Sequence, residues 1–288
     1  MPIRIAVLLL IAVVVAAERV ECLDSRFDLL QVRCDGTLTK VSSKEPGQII
    51  GKKWLGDVQR GMLFGSYFYA IDSERRDQLL VTNLLTMKSD RLGLQFPPGK
   101  PYCAWSVDFA DEKRIIISAY QSDGTPIGKR RLYYPFELNR PSGMISKLSI
   151  PDYGSTLSVY DKSIYYSNID GHICIFDDIH GSRMTGLEGH TPTVSPDGSK
   201  LAFISFGLLM DQVNVYVFQT NRVHSLIKFF GPKAVMPILR WSHDGRLIAV
   251  RRQSDLFSSS LYVIDVSRGR AIDEFKESGA CNWFFVDW

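Results

Sequence analysis

Two short segments of this chain are near-copies of each other, and each joins a tight turn to an apolar strand. They read VSPDGSKLAFI over residues 194–204 and WSHDGRLIAV over residues 241–250. An Asp-Gly pair between two strands favours a hairpin, because glycine accepts a positive φ and aspartate bonds its own backbone. A second strand pair follows each copy, at 215–226 and 261–272. The pattern predicts a repeated antiparallel unit.

Weaker copies of this unit extend over the rest of the chain. Five units begin near residues 54, 105, 158, 194 and 241. Their spacing is that of propeller blades, which are four-stranded sheets arranged in a ring. Helical periodicity is absent, so the predicted fold class is all-β.

The two chain ends complete the count of blades. Residues 282–288 look like a first strand with nothing after it, and residues 28–41 look like the second-half hairpin of a unit that lacks its first half. Pairing these ends in one blade removes the exposed sheet edges of an open ring. The sequence therefore predicts a single six-bladed β-propeller over residues 25–288 with N-/C-terminal closure of the last blade, and we expect a monomer.

The turn motifs resemble those of a known family. The SPDGSKLAF segment at residues 195–203 resembles the propeller repeat of TolB-like proteins, residues 241–245 fit the same repeat, and residues 105–106 fit it more loosely. This motif is structural, so the resemblance implies the propeller fold and transfers no catalytic residue. The family includes periplasmic translocation components, propeller domains of peptidases and many proteins of unknown role.

The N-terminus has the pattern of a signal peptide. Arg4 precedes an apolar run from residue 6 to residue 17, which is too short for a membrane-spanning helix. Val15 and Ala17 fit a cleavage site after residue 17, which leaves a tail at residues 18–24. We expect a periplasmic or secreted protein with no transmembrane segment after cleavage. An uncleaved anchor, a buried first strand, or a lipoprotein modified at residue 22 are the alternatives.

Composition excludes one class of partner. The chain has 34 Lys and Arg residues against 31 Asp and Glu residues, and the two signs are interspersed. Nucleic-acid binding needs a basic face or stripe, so no nucleic-acid partner is expected.

No sequence motif indicates catalysis or metal binding. The histidines lack metal-binding spacings, and no G-x-S-x-G motif of a hydrolase domain occurs. We therefore predict no catalytic residue, no metal and no cofactor. Five cysteines follow the signal peptide, an odd number whose disulfide pairing stays open. They are Cys22, Cys34, Cys103, Cys174 and Cys281.

The residues that precede the repeat tryptophans, or the positions equivalent to them in the other units, are predicted to surround the mouth of the central channel. This set is mildly basic and could accept a carboxylate or a peptide tail, although a solvated rim is the alternative. The tryptophans themselves are predicted to pack between blades, with a stacking platform as the alternative; they are Trp54, Trp105, Trp241 and Trp283. The candidate mouth residues are Lys53, Ala104, Leu157, Thr193, Arg240 and Asn282, with His190 as a further channel candidate.

These patterns favour a binding or scaffold module that docks another envelope or secreted protein, because loops on a rigid scaffold often carry recognition. The first alternative is a propeller hydrolase or lyase whose active site lies at the central channel. A purely structural accessory domain is the second. The sequence identifies no particular protein partner.

Overall fold

The fold is described from a computed structural model of the chain. The predicted signal peptide and tail lie outside the described residues. Within the described ranges, no helical segment has the length and apolar character needed to cross a membrane. The structure describes residues 28–33, 37–42, 48–53, 56, 61–72, 74–121, 132–140, 144–207, 210–230, 235–253, 258–278 and 281–285.

The described chain forms 24 β-strands in six four-stranded antiparallel sheets. Five sheets consist of four consecutive strands each, and the sixth is composite. The all-β propeller architecture predicted from the sequence is confirmed. The composite sheet contains β1 (Asp28–Arg33), β2 (Thr37–Ser42), β3 (Gln48–Lys52) and β24 (Cys281–Phe285).

The five consecutive sheets follow one another along the chain. The first comprises β4 (Met62–Phe64), β5 (Tyr67–Ile71), β6 (Gln78–Asn83) and β7 (Lys88–Gly93), and the second comprises β8 (Tyr102–Ala110), β9 (Arg114–Gln121), β10 (Tyr133–Asn139) and β11 (Ile145–Lys147). The third comprises β12 (Tyr153–Tyr160), β13 (Ser163–Asn168), β14 (His172–Asp177) and β15 (Gly181–Glu188). The last two comprise β16 (His190–Val194), β17 (Lys200–Phe206), β18 (Met210–Val217) and β19 (Arg222–Phe230), then β20 (Val235–Trp241), β21 (Leu247–Gln253), β22 (Ser258–Asp265) and β23 (Arg270–Ser278).

The composite sheet joins the two chain ends, as predicted. Strand β24 pairs antiparallel with β1, from Leu29 opposite Phe285 to Arg33 opposite Cys281. The strand order in this sheet is β24-β1-β2-β3. The last strand therefore occupies the position of a first strand, and the ring closes through backbone hydrogen bonds.

The first strands of neighbouring sheets contact one another, in the sequence β4–β8–β12–β16–β20–β24. These strands therefore surround the central channel. Because every sheet is an antiparallel meander, the hairpins after its first and third strands emerge on one side of the ring, which we call the turn face. The hairpins after the second strands and the links between sheets emerge on the other side, which we call the link face.

The core lies between the sheets. Alternate residues of each strand point to opposite neighbours, so one strand serves two interfaces. On β21, for example, Ile248 and Val250 pack towards the β16–β19 sheet, whereas Leu247 and Ala249 pack towards Leu29 of the composite sheet.

The two Asp-Gly turns have the same hydrogen bonds. The Ser195 hydroxyl donates to Asp197 Oδ1 over 2.6 Å and accepts from the Lys200 backbone N–H over 2.9 Å. Gly198 has a φ of 69°, and a β-carbon there would collide with the Tyr160 ring. The motif therefore closes a hairpin and permits close approach of the neighbouring sheet.

Two predicted alignments are wrong. The unit predicted to begin near residue 54 has its first strand at Met62–Phe64 and its second strand at Tyr67–Ile71. Strand β8 has register shifts at Trp105 and at Asp108. Because of these bulges, Ala110 occupies the place of Trp241, directly before the turn, and Trp105 does not. Trp105 instead packs on Tyr120 and Tyr133.

Candidate functional site

Two of the predicted mouth residues lie together on adjacent channel strands. Thr193 and Arg240 are both partly buried, and the Thr193 hydroxyl is 3.5 Å from the Leu239 carbonyl oxygen. Ala104 and Leu157, in contrast, are buried in the core and present no side chain to a ligand. The predicted ring of six equivalent positions is therefore not formed.

Lys53 does not belong to the channel mouth. It follows β3, the outermost strand of the composite sheet, and its Nζ donates to the carbonyl oxygen of Met87 in the β6–β7 hairpin. The prediction placed it beside Arg240 because Trp54 was taken as the end of a first strand. The first strand of that sheet is Met62–Phe64, so the alignment was wrong and Lys53 lies at the periphery.

The remaining two candidates lie elsewhere on the channel strands. His190 begins β16, at its link-face end, and its ring packs on Phe206 with 4.8 Å between centroids. Asn282 lies in β24, opposite Val32. The described contacts bring neither His190 nor Asn282 to Thr193 and Arg240.

The sequence analysis missed a polar cluster of the channel wall, which is centred on Asp108. Its carboxylate accepts hydrogen bonds from Ser106 over 2.7 Å, from Tyr153 over 2.7 Å, and from Ser118. Ser118 and the Tyr153 hydroxyl are themselves 2.9 Å apart. Tyr153 comes from the next sheet, so the cluster joins two sheets at the channel.

Arg240 lies on β20, across the ring from β8, and its charge acts on Asp108. Burial raises the Asp108 carboxyl pKa above its ordinary value, against the three hydrogen bonds and the Arg240 charge, which lower it. Burial lowers the Arg240 pKa to about 10, and the Asp108 charge opposes this effect. A guanidinium with that pKa stays charged at neutral pH. The channel wall therefore combines a fixed cation with a carboxyl group that holds its proton to higher pH than usual.

This arrangement can exchange a proton or orient an anion. Among the residues described by the structure, no group of three or more His, Cys, Asp or Glu side chains lies together. Cys174 is buried and Cys103 is half-buried; both are free thiols.

The pH dependence of stability tests the Asp108 environment. The raised pKa means that the folded state binds a proton more tightly than the unfolded state, so stability falls as pH rises from 3.8 to the folded-state pKa. Asp108→Asn should remove this decrease in stability with rising pH. Its melting temperature relative to the parent should rise as pH increases between about 3 and 7.

Asp197→Asn is the matched control with the opposite sign. Hydrogen bonds from Ser195 and Ser199 lower the Asp197 pKa to about 2, so its stabilisation is present above 3.8 and is lost as pH falls towards 2. The melting temperature of Asp197→Asn relative to the parent should therefore fall as pH rises. Parallel melting curves for Asp108→Asn and the parent at every pH would contradict the assigned environment.

Two clefts lie between sheets, one on each face. The turn-face cleft has a volume of about 650 Å³ and the link-face cleft about 440 Å³. In the second, the Lys147 ammonium lies 3.9 Å from the centroid of the Tyr134 ring. The turn-face cleft is lined by Phe64, Gly65, Ser66, Tyr67, Tyr69, Glu112 and Arg140.

Solved structures share the fold. TolB from Acinetobacter baumannii has a TM-score of 0.62 at 13% identity, covering 92% of this chain and 67% of its own. An oligogalacturonate lyase in complex with manganese has a TM-score of 0.55 at 13% identity, covering 84% and 77%. The dihydro-heme d1 dehydrogenase NirN has a TM-score of 0.51 at 14% identity, covering 89% and 74%.

These three proteins have different functions, so the likeness concerns the β-propeller fold alone. The resemblance to TolB-like repeats noted in the sequence is supported at that level. No protein-family model matches the sequence. No curated protein matches it either.

Proposed function

We propose that this protein is an exported binding module that docks another envelope or secreted protein on the turn face of its propeller. The observation that carries the proposal is the distribution of exposed apolar side chains. Of the nine large ones among the described residues, six lie in or beside turn-face hairpins. They are Tyr67, Leu85, Met144, Tyr160, Ile179 and Val223.

Four of these side chains recur at one structural position. Leu85, Met144, Ile179 and Val223 lie in or next to the hairpin between the third and fourth strands of four consecutive sheets. Ile179 is 84% exposed and Met144 is 72% exposed. Single exposed apolar residues need no explanation, but a recurring set on one face is typical of an interaction surface.

The charges on the same face largely compensate one another. Arg114 lies 3.5 Å from Asp111, and Arg183 lies 2.7 Å from Asp177. Such a surface has apolar anchors among paired charges and lacks a basic stripe. This combination suits a protein partner, whose core contacts are apolar and whose rim is polar.

The export part of the proposal rests on the N-terminal pattern of residues 1–17 and on the fold shared with TolB. It implies a periplasmic or secreted protein. The repeats form the ring, and their motifs are structural. The chain therefore presents a partner with a rigid scaffold and variable hairpins.

Substitutions on the two faces test the docking surface. The double variant Met144→Asp with Ile179→Asp should lose about tenfold or more of the partner captured from an envelope extract, because two apolar anchors become charged. Quantitative mass spectrometry of the captured proteins measures the loss. Melting temperatures should stay near that of the parent, since both side chains are exposed.

The matched control carries Leu132→Asp and Phe230→Asp on the link face, where both side chains are also exposed. This control should capture the same partner as the parent. Equal capture by the turn-face variant and the parent would refute the assignment of the face.

A second candidate function is a hydrolase or lyase at the channel, and the Asp108–Arg240 pair is the observation that favours it. A carboxyl group with a raised pKa can act as a general acid, and a guanidinium can hold an anionic substrate. Turnover of an ester, lactone or glycoside by the parent, abolished in Asp108→Asn, would establish this alternative.

A further inference from the structure

The turn-face cleft combines aromatic walls with an arginine. Phe64 and Tyr67 come from the hairpin of the β4–β7 sheet, and Arg140 comes from the end of β10 in the next sheet. Glu112 lies exposed in the turn between β8 and β9, on the Arg140 side. The volume of about 650 Å³ is within the range of ligand sites. The cleft is therefore large enough to take the end of a peptide chain.

One polar atom in this cleft is buried with no hydrogen bond of standard geometry to the described residues. Tyr69 is fully buried, and its hydroxyl makes no hydrogen bond of standard geometry within the described part of the chain. Burial raises the pKa of Tyr69, and the neighbouring Arg140 lowers it in part through its charge and through a weak hydrogen bond to the tyrosine oxygen, which leaves the hydroxyl proton free to donate. A buried hydroxyl that makes no hydrogen bond destabilises the fold, so it calls for an explanation.

Arg140 covers this tyrosine. Its guanidinium carbon lies 5.4 Å from the centroid of the Tyr69 ring, and its Nη1 donates to the Asp111 carbonyl oxygen over 2.8 Å. A guanidinium carries five N–H donors in a planar fork, which matches a carboxylate. The Tyr69 hydroxyl and the Arg140 fork are thus two neighbouring donors at the base of one cleft.

We propose that the turn-face cleft binds the C-terminal residue of the protein partner through its terminal carboxylate. This inference rests on the proposed docking function of the same face. The carboxylate accepts hydrogen bonds from the Tyr69 hydroxyl and the Arg140 guanidinium, and the last side chain packs on Phe64 and Tyr67. In binding, the guanidinium moves outward with the carboxylate and uncovers the hydroxyl.

The chemistry of the cleft favours a chain terminus over an acidic side chain. At a C-terminus, the carboxylate and an apolar side chain are attached to the same carbon, so both the donors and the aromatic walls are satisfied at once. An Asp or Glu side chain carries no apolar group beside its carboxylate. Glu112 at the rim repels a second negative charge, so the preceding residues of the partner should be neutral or basic.

Binding of matched tripeptides to the full mature chain tests this inference. The probe is an N-acetylated tripeptide that ends in phenylalanine, prepared as the free acid and as the C-terminal amide. Calorimetry should give a Kd of about 0.1–1 mM for the acid and about tenfold weaker binding for the amide. A third peptide, amidated and with an internal aspartate, should bind no better than the amide.

Three conservative substitutions locate the site. Tyr69→Phe removes only the buried hydroxyl, and it should weaken binding of the acid about fivefold or more while leaving binding of the amide unchanged. Its melting temperature should equal or exceed that of the parent, which separates lost binding from lost folding. Arg140→Gln should have the same effect on the acid. Tyr134→Phe in the link-face cleft is the matched control and should bind the acid as the parent does.

Three outcomes would overturn the inference. They are equal binding of the acid and the amide, binding of the acid by Tyr69→Phe with the affinity of the parent, or binding of the internal-aspartate peptide as tight as that of the acid. Failure of the proposed function gives a different result, because capture from the extract would then be independent of Met144 and Ile179. The two hypotheses are therefore tested separately.

Discussion

Deletion of residues 282–288 is expected to unfold the protein and not merely to lower its melting temperature. Strand β24 is the channel strand of the composite sheet, where it pairs with β1 and contacts β20 and β21. Without it, β1 presents an unpaired edge and the ring opens between the composite sheet and the β20–β23 sheet. A domain of ordinary stability, about 5–15 kcal/mol, cannot absorb the loss of a whole strand with its two interfaces.

Circular dichroism and size-exclusion chromatography of the truncated chain measure this effect, with aggregation as the expected form of failure. A synthetic peptide of residues 279–288, added during refolding, is the matched control. It should restore part of the folded signal, because an added strand can complete an open sheet edge. A truncated protein that keeps the melting temperature of the parent would show that closure does not hold the ring together.

The propeller could be predicted because its strongest signals are local. The SPDG and SHDG turns contain within a few residues everything that their hairpins need, namely a hydroxyl, a carboxylate and a glycine with positive φ. Gly198 and Gly245 have φ values of 69° and 66°, respectively. Closure by the chain ends could be predicted for a similar reason, since a strand without its hairpin must find a partner.

The register of individual strands could not be predicted where bulges occur. Strand β8 shifts register at Trp105 and Asp108, so its sequence is longer than that of an equivalent strand. An alignment that places Trp105 on Trp241 ignores these extra residues. Lys53 was assigned to the channel mouth for a different reason, because Trp54 was taken as the end of a first strand, whereas Lys53 follows the outermost strand of its sheet.

The polar sites could not be predicted because their members are distant in the chain. Asp108, Tyr153 and Arg240 come from three sheets, and no spacing along the sequence relates them. Tyr69 and Arg140 meet only because two neighbouring sheets pack face to face. Arg240 was identified as a channel residue, but its relation to Asp108 depends on the ring geometry.

The packing role of Trp241 leads to the second large effect. Trp241 is 9% exposed and belongs to the apolar cluster between the last two consecutive sheets, with Leu239 and Val250. Its Nε1 donates to the Thr193 carbonyl oxygen over 2.8 Å, from one sheet to the next. Trp241→Ala should therefore destabilise the protein by about 3–5 kcal/mol, the range for buried aromatic residues replaced by alanine.

Two further variants separate the contributions to this loss. Trp241→Phe keeps an aromatic ring but removes the hydrogen bond to Thr193, and should cost about 1–3 kcal/mol because the carbonyl loses its partner. Trp105→Ala removes a half-buried ring that packs on Tyr120 and Tyr133, so its cost should be smaller than that of Trp241→Ala. Urea unfolding gives all three values. A loss below about 1 kcal/mol for Trp241→Ala would mean that this tryptophan is not a packing residue, and the alternative of a stacking platform at the channel would then apply.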